Sequence, residues 1–381
     1  MAVRAEALVS AFRARGVSLF TGVPDSLLKS FCGYLTDWCA AEHVITANEG
    51  GAVGLAAGHY LATGRAAVVY LQNSGQGNAV NPLLSLADPE VYGVPMVLLV
   101  GWRGRPGEHD EPQHIKQGRV MMRLFEAMEI PAQVLPEEEG AAIAMAQAAV
   151  EQALVEARPV ALAVRRGTFA PYTLARREAD LGALRREEAI EAIVAHFGAR
   201  PGTVFISTTG MASRELYEIR ARLGQGHGHD FLTVGSMGQA AMIALGIARV
   251  QPARQVVCLD GDGATLMQMG NLAITGCSKA ANLVHVVLNN GAHDSVGGQP
   301  TVGGAVALTA IARACGYAAV EPFRGATAEA LTAYLAASEG VERTRSRFLE
   351  VRVAKGARAD LGRPKASPRE NKAALMAELG V

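Results

Sequence analysis

Apolar and polar positions along the chain follow two alternating periods. Short runs rich in β-branched residues end in glycine or asparagine turns, and each is followed by a longer alanine- and leucine-rich stretch with helical spacing. The strand-like runs of the first half are Leu19–Thr21, His43–Thr46, Ala66–Leu71, Met96–Val100, Ala132–Leu135 and Val160–Val164. Those of the second half are Val204–Ser207, Phe231–Val234, Gln255–Asp260, Leu283–Leu288, Ala318–Val320 and Phe348–Val353. Helices are expected between them, among them Glu49–Thr63, Glu138–Ala157, Met237–Val250 and Thr327–Ser338, with a closing helix over Lys372–Leu379. Nearly continuous apolar strands alternating with helices imply an α/β fold with two doubly wound parallel sheets, each covered on both faces. The polar segment 169–188 holds Pro171 and the charged run Arg176-Arg177-Glu178, and is expected to link a first domain over 1–168 to a second over 189–381.

Composition narrows the classes of function. Half of the 381 residues are hydrophobic and 19% are charged, enough for two sizeable cores. Lys plus Arg and Asp plus Glu both number 36, so the chain lacks the basic excess that nucleic acid selects. The five cysteines are scattered without a CxxC pair, which points to a reducing, cytoplasmic setting. The most apolar stretch, Val91–Trp102, is interrupted by Gly93, Pro95 and Gly101 and is too short to span a membrane. Charged residues from Arg4 to Arg15 break up any signal-peptide core.

In open α/β sheets ligands sit beyond the carboxyl ends of the strands, so the residues just after each strand carry the functional signal. The run Val256–Asp260 ends in Gly261-Asp262-Gly263-Ala264, and Val284–Leu288 ends in Asn289-Asn290-Gly291, with Asn290 28 residues after Asp262. Turn glycines let backbone N–H groups face an anion, and an aspartate and an asparagine oxygen are hard ligands suited to Mg²⁺. Together they describe a diphosphate held through magnesium. Either turn alone is most simply just a turn; the pair, each after a strong strand, carries the reading. An EF-hand is excluded because Ala264 and Asn271 stand where ligands would be needed, and neither GxGxxG nor a Walker lysine occurs. His227-Gly228-His229 lacks a third ligand nearby and is read as structural.

The pair resembles the GDG…NN signature of thiamine-diphosphate enzymes. That resemblance implies a pyrimidine-binding-type domain followed by a diphosphate-binding-type domain, with Asp262, the carbonyl of Ala292 and Asn290 as magnesium ligands, Asn289 being the alternative to Asn290. It implies that Gly261, Gly263 and Ala264 contact the diphosphate. Glu49, which follows strand His43–Thr46, would activate the aminopyrimidine ring. Met237, between Ser236 and Gly238, would support the bent cofactor, with the Gly235 carbonyl receiving its amino group. In this family the glutamate meets the cofactor across a subunit interface, so a homodimer at minimum is implied.

Gly22-Val23-Pro24-Asp25-Ser26, Gln72-Asn73-Ser74-Gly75, Gly101-Trp102-Arg103-Gly104, Thr208-Thr209-Gly210-Met211 and Asn290-Gly291-Ala292-His293-Asp294-Ser295 narrow the resemblance. They are similar to the phosphonopyruvate decarboxylase family over nearly the whole chain. The implied reaction is non-oxidative decarboxylation of the anionic 2-keto acid 3-phosphonopyruvate to phosphonoacetaldehyde and CO₂ through an enamine on the cofactor. Asp25 and one of two loop histidines, His109 or His114, would then serve as acid–base groups. Arg103 is the first choice for the phosphonate, since a guanidinium binds a tetrahedral oxyanion bidentately. Loop 101–119 as a whole is only +1 and is no general anion sink. Asn73, Ser74, His293, Asp294 and Ser295 are further candidates for the cavity wall. The alternatives are sulfopyruvate as substrate, or a catalytically silent cofactor-binding subunit.

Overall fold

The computed structural model describes residues 2–176, 178–340 and 344–381. It divides into two compact units, Met1–Arg177 with Ser295–Gln299, and Glu178–Asp294 with Pro300–Val381. The strands of the first are β1 (Phe20–Gly22), β2 (His43–Ile45), β3 (Ala67–Gln72), β4 (Met96–Gly101), β5 (Ala132–Val134) and β6 (Pro159–Val164). They form a six-stranded parallel sheet in the order β2-β1-β3-β4-β6-β5. In the second unit, β7 (Val204–Ser207), β8 (Asp230–Leu232), β9 (Val256–Gly261) and β10 (Leu283–Asn289) join Ala318–Ala319 and Arg347–Arg352. Their order is β8-β7-β9-β10, then Arg347–Arg352, then Ala318–Ala319, the same permutation as the first sheet. The repeating rhythm of the sequence is therefore a repeated topology, with its switch point between first and third strands in each unit. Ligand crevices of doubly wound sheets lie there.

The apolar runs become strands because both faces are buried. Phe20, Phe31 and Tyr70 meet edge to face under one side of the first sheet, while Val69, Leu71, Met96 and Leu98 pack with Phe125 on the other. In the second unit, Val257, Leu259, Val284 and Val286 face helix Arg186–Gly198, whereas Val256 and Cys258 face helix Ala240–Val250. Each fully buried side chain of this size stabilises by about 1.5–3 kcal/mol relative to exposure.

Differences from expectation lie mainly at element ends. Helix Glu49–Thr63 forms as read, opened by Asn48, whose side chain accepts from the Gly51 N–H at 2.8 Å. The helix expected from Met237 begins only at Ala240, because Gly235, Ser236 and Gly238 all have positive φ, a conformation no helix tolerates. The closing helix reaches back to Pro368, started by a reciprocal Ser367–Glu370 cap.

Segment 169–188 is not a featureless tether. Phe169 packs on Phe31, Tyr172 donates to Asp37 at 2.8 Å, and the N–H groups of Ala175 and Arg176 donate to the same carboxylate. Arg177 lies outside the described residues. Beyond it, Lys355 donates to the carbonyls of Glu178 and Ala179, Leu184 is buried, and helix Arg186–Gly198 has begun. The polar composition concealed Phe169, Tyr172 and Leu184, which dock each piece on its own unit.

Candidate active site

In the first unit two buried acids flank the switch point. Glu49 opens its helix, 4% exposed, with Oε2 accepting from Asn78 Nδ2 at 2.7 Å. Its Oε1 lies against Gly75, where a Cβ would stand 2.1 Å away, so only glycine leaves room for the carboxyl. Burial raises the Glu49 pKa, and the bond from Asn78 partly offsets it. Asp25, fully buried beyond β1, accepts from Gln72 Nε2 at 2.5 Å and from the Leu27 N–H at 2.9 Å. A Cβ at Gly101 would stand 2.1 Å from its Oδ2. Burial raises the Asp25 pKa against the bonds from Gln72 and Leu27 and the charge of Arg103.

A single segment serves both acids. From the end of β3, Gln72 holds Asp25, Ser74 donates to Gln72 at 2.5 Å, Gly75 receives the Glu49 carboxyl, and Asn78 anchors it. Sequence reasoning gave no role to Gln72, Gly75 or Asn78. The signal available was an uncharged, amide-rich run, Gln72-Asn73-Ser74-Gly75-Gln76-Gly77-Asn78, directly after a central strand.

Several expectations for this unit need correction. Asn73 is fully buried, and its amide is occupied by the backbone of Arg103, donating to the carbonyl at 2.8 Å and accepting from the N–H at 3.2 Å; it is no cavity wall. Arg103 is not an uncommitted cation. Its Nε and Nη2 grip Asp110 at 2.8 and 2.5 Å, and Nη1 donates to Ser26 Oγ at 2.7 Å. Burial would raise Asp110, but Arg103 and the N–H groups of Glu111 and Gly104 hold it far below the usual carboxylate range. Loop charges expected to attract a ligand therefore neutralise one another, since a pair at this distance outcompetes solvent where both groups are largely covered. The two histidines separate cleanly. His109 is exposed, whereas His114, in the first turn of helix Pro112–Ala127, is buried with Nδ1 unpartnered. Burial and the nearby Arg103 push its pKa down to about 4, so the ring is neutral near pH 7.

In the second unit, β9 ends at Gly261 and Asp262 opens the short helix Asp262–Met267. Asp262 is 2% exposed and accepts from the Thr301 hydroxyl. Burial pushes its pKa up to about 6, opposed by Thr301 and by backbone N–H groups including that of Asn290. A Cβ on Gly303 would stand 2.4 Å from Asp262 Oδ2 and 2.7 Å from Asn289 Oδ1, so the backbone here crosses both oxygens closely. Asn289 is locked, its Nδ2 donating to Gly303 O at 2.9 Å and Glu350 at 3.0 Å. Asn290 donates to Asp294 at 2.7 Å and accepts from the Ala292 N–H at 3.0 Å. Thr301 and Gly303 also went unread in the sequence, being 39 or more residues from Asp262.

Met237, Gly263 and His293 converge: a Cβ on Gly263 would stand 3.1 Å from the His293 ring and 3.3 Å from the Met237 methyl. Gly238 packs as tightly on Ala264 and Gln268. Ser236 is exposed with φ 47°, an uncommon conformation outside glycine, and the Gly235 N–H is tied to Thr209 Oγ1 at 2.9 Å. Ser74 and Ser295 are exposed, and burial lowers the His293 pKa to about 4.

The donor set at Asp262 fits a magnesium diphosphate. A buried carboxylate, a carboxamide oxygen and a loop carbonyl are hard oxygens, and the side chains missing at Gly261 and Gly263 leave the backbone approachable. The group Cys258, Asp260 and His285 could also offer three ligand atoms, but the Asp260 carboxylate and both His285 nitrogens are already engaged. Asp260 accepts from the Gly261 N–H, Thr265 and His285, and His285 faces Tyr317 through its other nitrogen. That network braces the turn before Asp262.

Comparison with known proteins agrees with this geometry. Residues 3–121 match the family described as thiamine pyrophosphate enzyme, N-terminal TPP binding domain, and residues 208–351 match the corresponding C-terminal TPP binding domain. A phosphonopyruvate decarboxylase of Streptomyces hygroscopicus is 36% identical over 383 residues, covering 97% of this chain and 92% of the relative. One of Streptomyces viridochromogenes is 37% identical, covering 95% and 91%. A sulfopyruvate decarboxylase of Methanosarcina acetivorans is 26% identical and covers 82% of each chain. Among the described residues no helix is long and apolar enough to cross a membrane. The chain belongs to the thiamine-pyrophosphate-dependent enzymes, and within them to the family of the phosphonopyruvate decarboxylases.

Proposed function

We propose that this chain decarboxylates 3-phosphonopyruvate to phosphonoacetaldehyde and CO₂, using thiamine diphosphate and Mg²⁺. The observation that carries the reading is similarity at 36% and 37% identity to two phosphonopyruvate decarboxylases along 97% and 95% of the chain, whereas the sulfopyruvate decarboxylase that spans 82% of it is 26% identical and a sulfopyruvate decarboxylase subunit at 39% identity covers only 35%. The pyrimidine-binding-type domain is assigned to 1–168 and the diphosphate-binding-type domain to 189–381. Asp262, the Ala292 carbonyl and Asn290 would hold the cation. Asn290 is preferred to Asn289 as the second asparagine of the pair, the position that the resemblance gives to the ligand. Gly261, Gly263 and Ala264 would meet the diphosphate, and Gly235, Ser236 and Met237 the rings.

Bound there, thiamine diphosphate supplies a carbon nucleophile and a sink for the electron pair left when CO₂ departs. The remaining work belongs to side chains. Glu49 exchanges a proton at Oε1, the oxygen facing Gly75, while Asn78 fixes Oε2; burial raises its pKa and so favours the protonated form relative to an exposed glutamate. Asp25, oriented by Gln72, and neutral His114, through Nδ1, are the acid–base groups on the substrate side. The phosphonate approaches Arg103 Nη1, whose neutral partner Ser26 an oxyanion can replace without breaking the Asp110 ion pair. Ser74 in the first unit and His293 in the second are the further candidates for contact with substrate. The working form is a homodimer or larger, and the five free thiols fit the cytoplasm.

The test is CO₂ release from phosphonopyruvate and from sulfopyruvate, with and without Mg²⁺. The expected result is a kcat/KM at least 10-fold higher for phosphonopyruvate and dependent on Mg²⁺. Equal values would remove the substrate assignment, and no release from either acid would favour a silent cofactor-binding subunit.

A further inference from the structure

A buried ion-pair chain ends on the metal loop. Arg186, at the start of helix Arg186–Gly198, is gripped by Glu215 through Nε at 2.8 Å and Nη2 at 3.0 Å. Its Nη1 donates to Asp294 Oδ2 at 2.7 Å, and Nη2 also reaches the Gly356 carbonyl at 3.2 Å. The same Asp294 oxygen accepts from the Gly356 N–H at 3.0 Å and from Asn290 Nδ2 at 2.7 Å. Side-chain exposures of 8%, 2% and 11% for Arg186, Glu215 and Asp294 place the chain out of bulk water.

A carboxamide can present either its oxygen or its NH₂ to a given side, and only the oxygen ligates a hard cation. An aspartate carboxylate only accepts, so it obliges the Asn290 NH₂ to face it and sends Oδ1 the other way, where it meets the Ala292 N–H at 3.0 Å. Arg186 holds that carboxylate in place, and Glu215 holds Arg186. We propose that Arg186 and Asp294 are positioning residues that select the ligating face of Asn290 and thereby set the affinity of the chain for its divalent cation. The inference rests on the reading of Asn290 given above and assigns Asp294 to this relay instead of the substrate cavity.

The test measures Mn²⁺ binding to cofactor-free protein by the resonance of free Mn²⁺. It also measures thiamine diphosphate binding by calorimetry across a Mg²⁺ series, with kcat at saturating Mg²⁺ and cofactor. Asp294→Asn keeps shape but can donate toward Asn290. Arg186→Met paired with Glu215→Gln removes the cation together with its bidentate partner's charge and leaves Asp294 held only by Asn290 and the Gly356 N–H, should Arg186→Met alone fail to fold. Outer residues around a metal typically change affinity 10- to 100-fold, and a rise of that size in half-saturating Mg²⁺ and in Mn²⁺ Kd is expected for both. At saturation kcat should stay within about 3-fold of the parent, and Arg186→Lys should recover part of the affinity. Unchanged cation affinity, or a kcat loss that saturating Mg²⁺ does not repair, would overturn the inference. A parent protein that binds no thiamine diphosphate would instead sink the functional reading beneath it.

Discussion

Gly75 gives the sharpest test of how the Glu49 carboxyl is held. Its φ of −81° suits any L-residue, so replacing it with alanine introduces contact and no backbone strain. The added methyl would stand 2.1 Å from Glu49 Oε1 and 2.5 Å from Cδ, where ordinary contacts need about 3.5 Å. The carboxyl must therefore shift by about 1 Å or more, stretching the 2.7 Å bond from Asn78. A displacement of that size at a reacting group costs roughly 100-fold in turnover, and the overpacking costs about 1–3 kcal/mol of stability. Gly77→Ala is the control, because a Cβ there meets nothing within 4 Å and a glycine-to-alanine change inside helix Gln76–Pro82 should stabilise by about 0.5–1 kcal/mol. Glu49→Gln sets the floor: it should retain cofactor binding and lose roughly 10²- to 10⁴-fold in kcat. The assay is steady-state CO₂ release at saturating cofactor, alongside thermal unfolding and cofactor Kd. The expected order of kcat is parent and Gly77→Ala together, Gly75→Ala about 100-fold lower, Glu49→Gln at or below that. A Gly75→Ala enzyme within 2-fold of the parent, or equal losses in both glycine variants, would refute the reasoning.

Two other perturbations probe histidines. His114→Gln should lower kcat by roughly 10²- to 10⁴-fold while exposed His109→Gln stays near the parent, and a loss confined to His109 would reverse the assignment. His43, bonded to Tyr70 Oη at 2.7 Å, is pushed by burial from 6.5 down to about 4. Only the unfolded chain takes up that proton between those values, so stability falls as pH drops through the window and is unaffected by this group above it. At 1.36 kcal/mol per pH unit the loss is about 3 kcal/mol, and His43→Phe should flatten the slope by that amount in urea unfolding between pH 7 and 4. The slope that remains comes from other buried histidines such as His114, and an unchanged slope in the variant would show that His43 is not the cause.

Much of this protein was legible in local patterns. All twelve strands of the two sheets overlap the apolar runs, most plainly the central ones, because a strand buried on both faces leaves a mark within about six consecutive residues, while the short edge strands β2 and β5 are only partly buried. Glu49 and Asp262 stood out for the same kind of reason, each lying at a helix start just after a strand. The helix after Met237 was drawn too early because left-handed backbone at Ser236 has no compositional signature. What holds the acids was not legible. Gln72 lies 47 residues from Asp25, Asn78 lies 29 from Glu49, and Arg186 lies 108 from Asp294. The first pairing follows from the strand order, which carries β3 beside β1 and brings their carboxyl ends together, and the others likewise join segments that only the folded chain makes neighbours. Periodicity and turn chemistry depend on neighbours along the chain and so could be read from it. The commitment of Arg103 to Asp110, the burial of Asn73 and the unpartnered nitrogen of His114 depend on neighbours in space, and only the packed structure decided them.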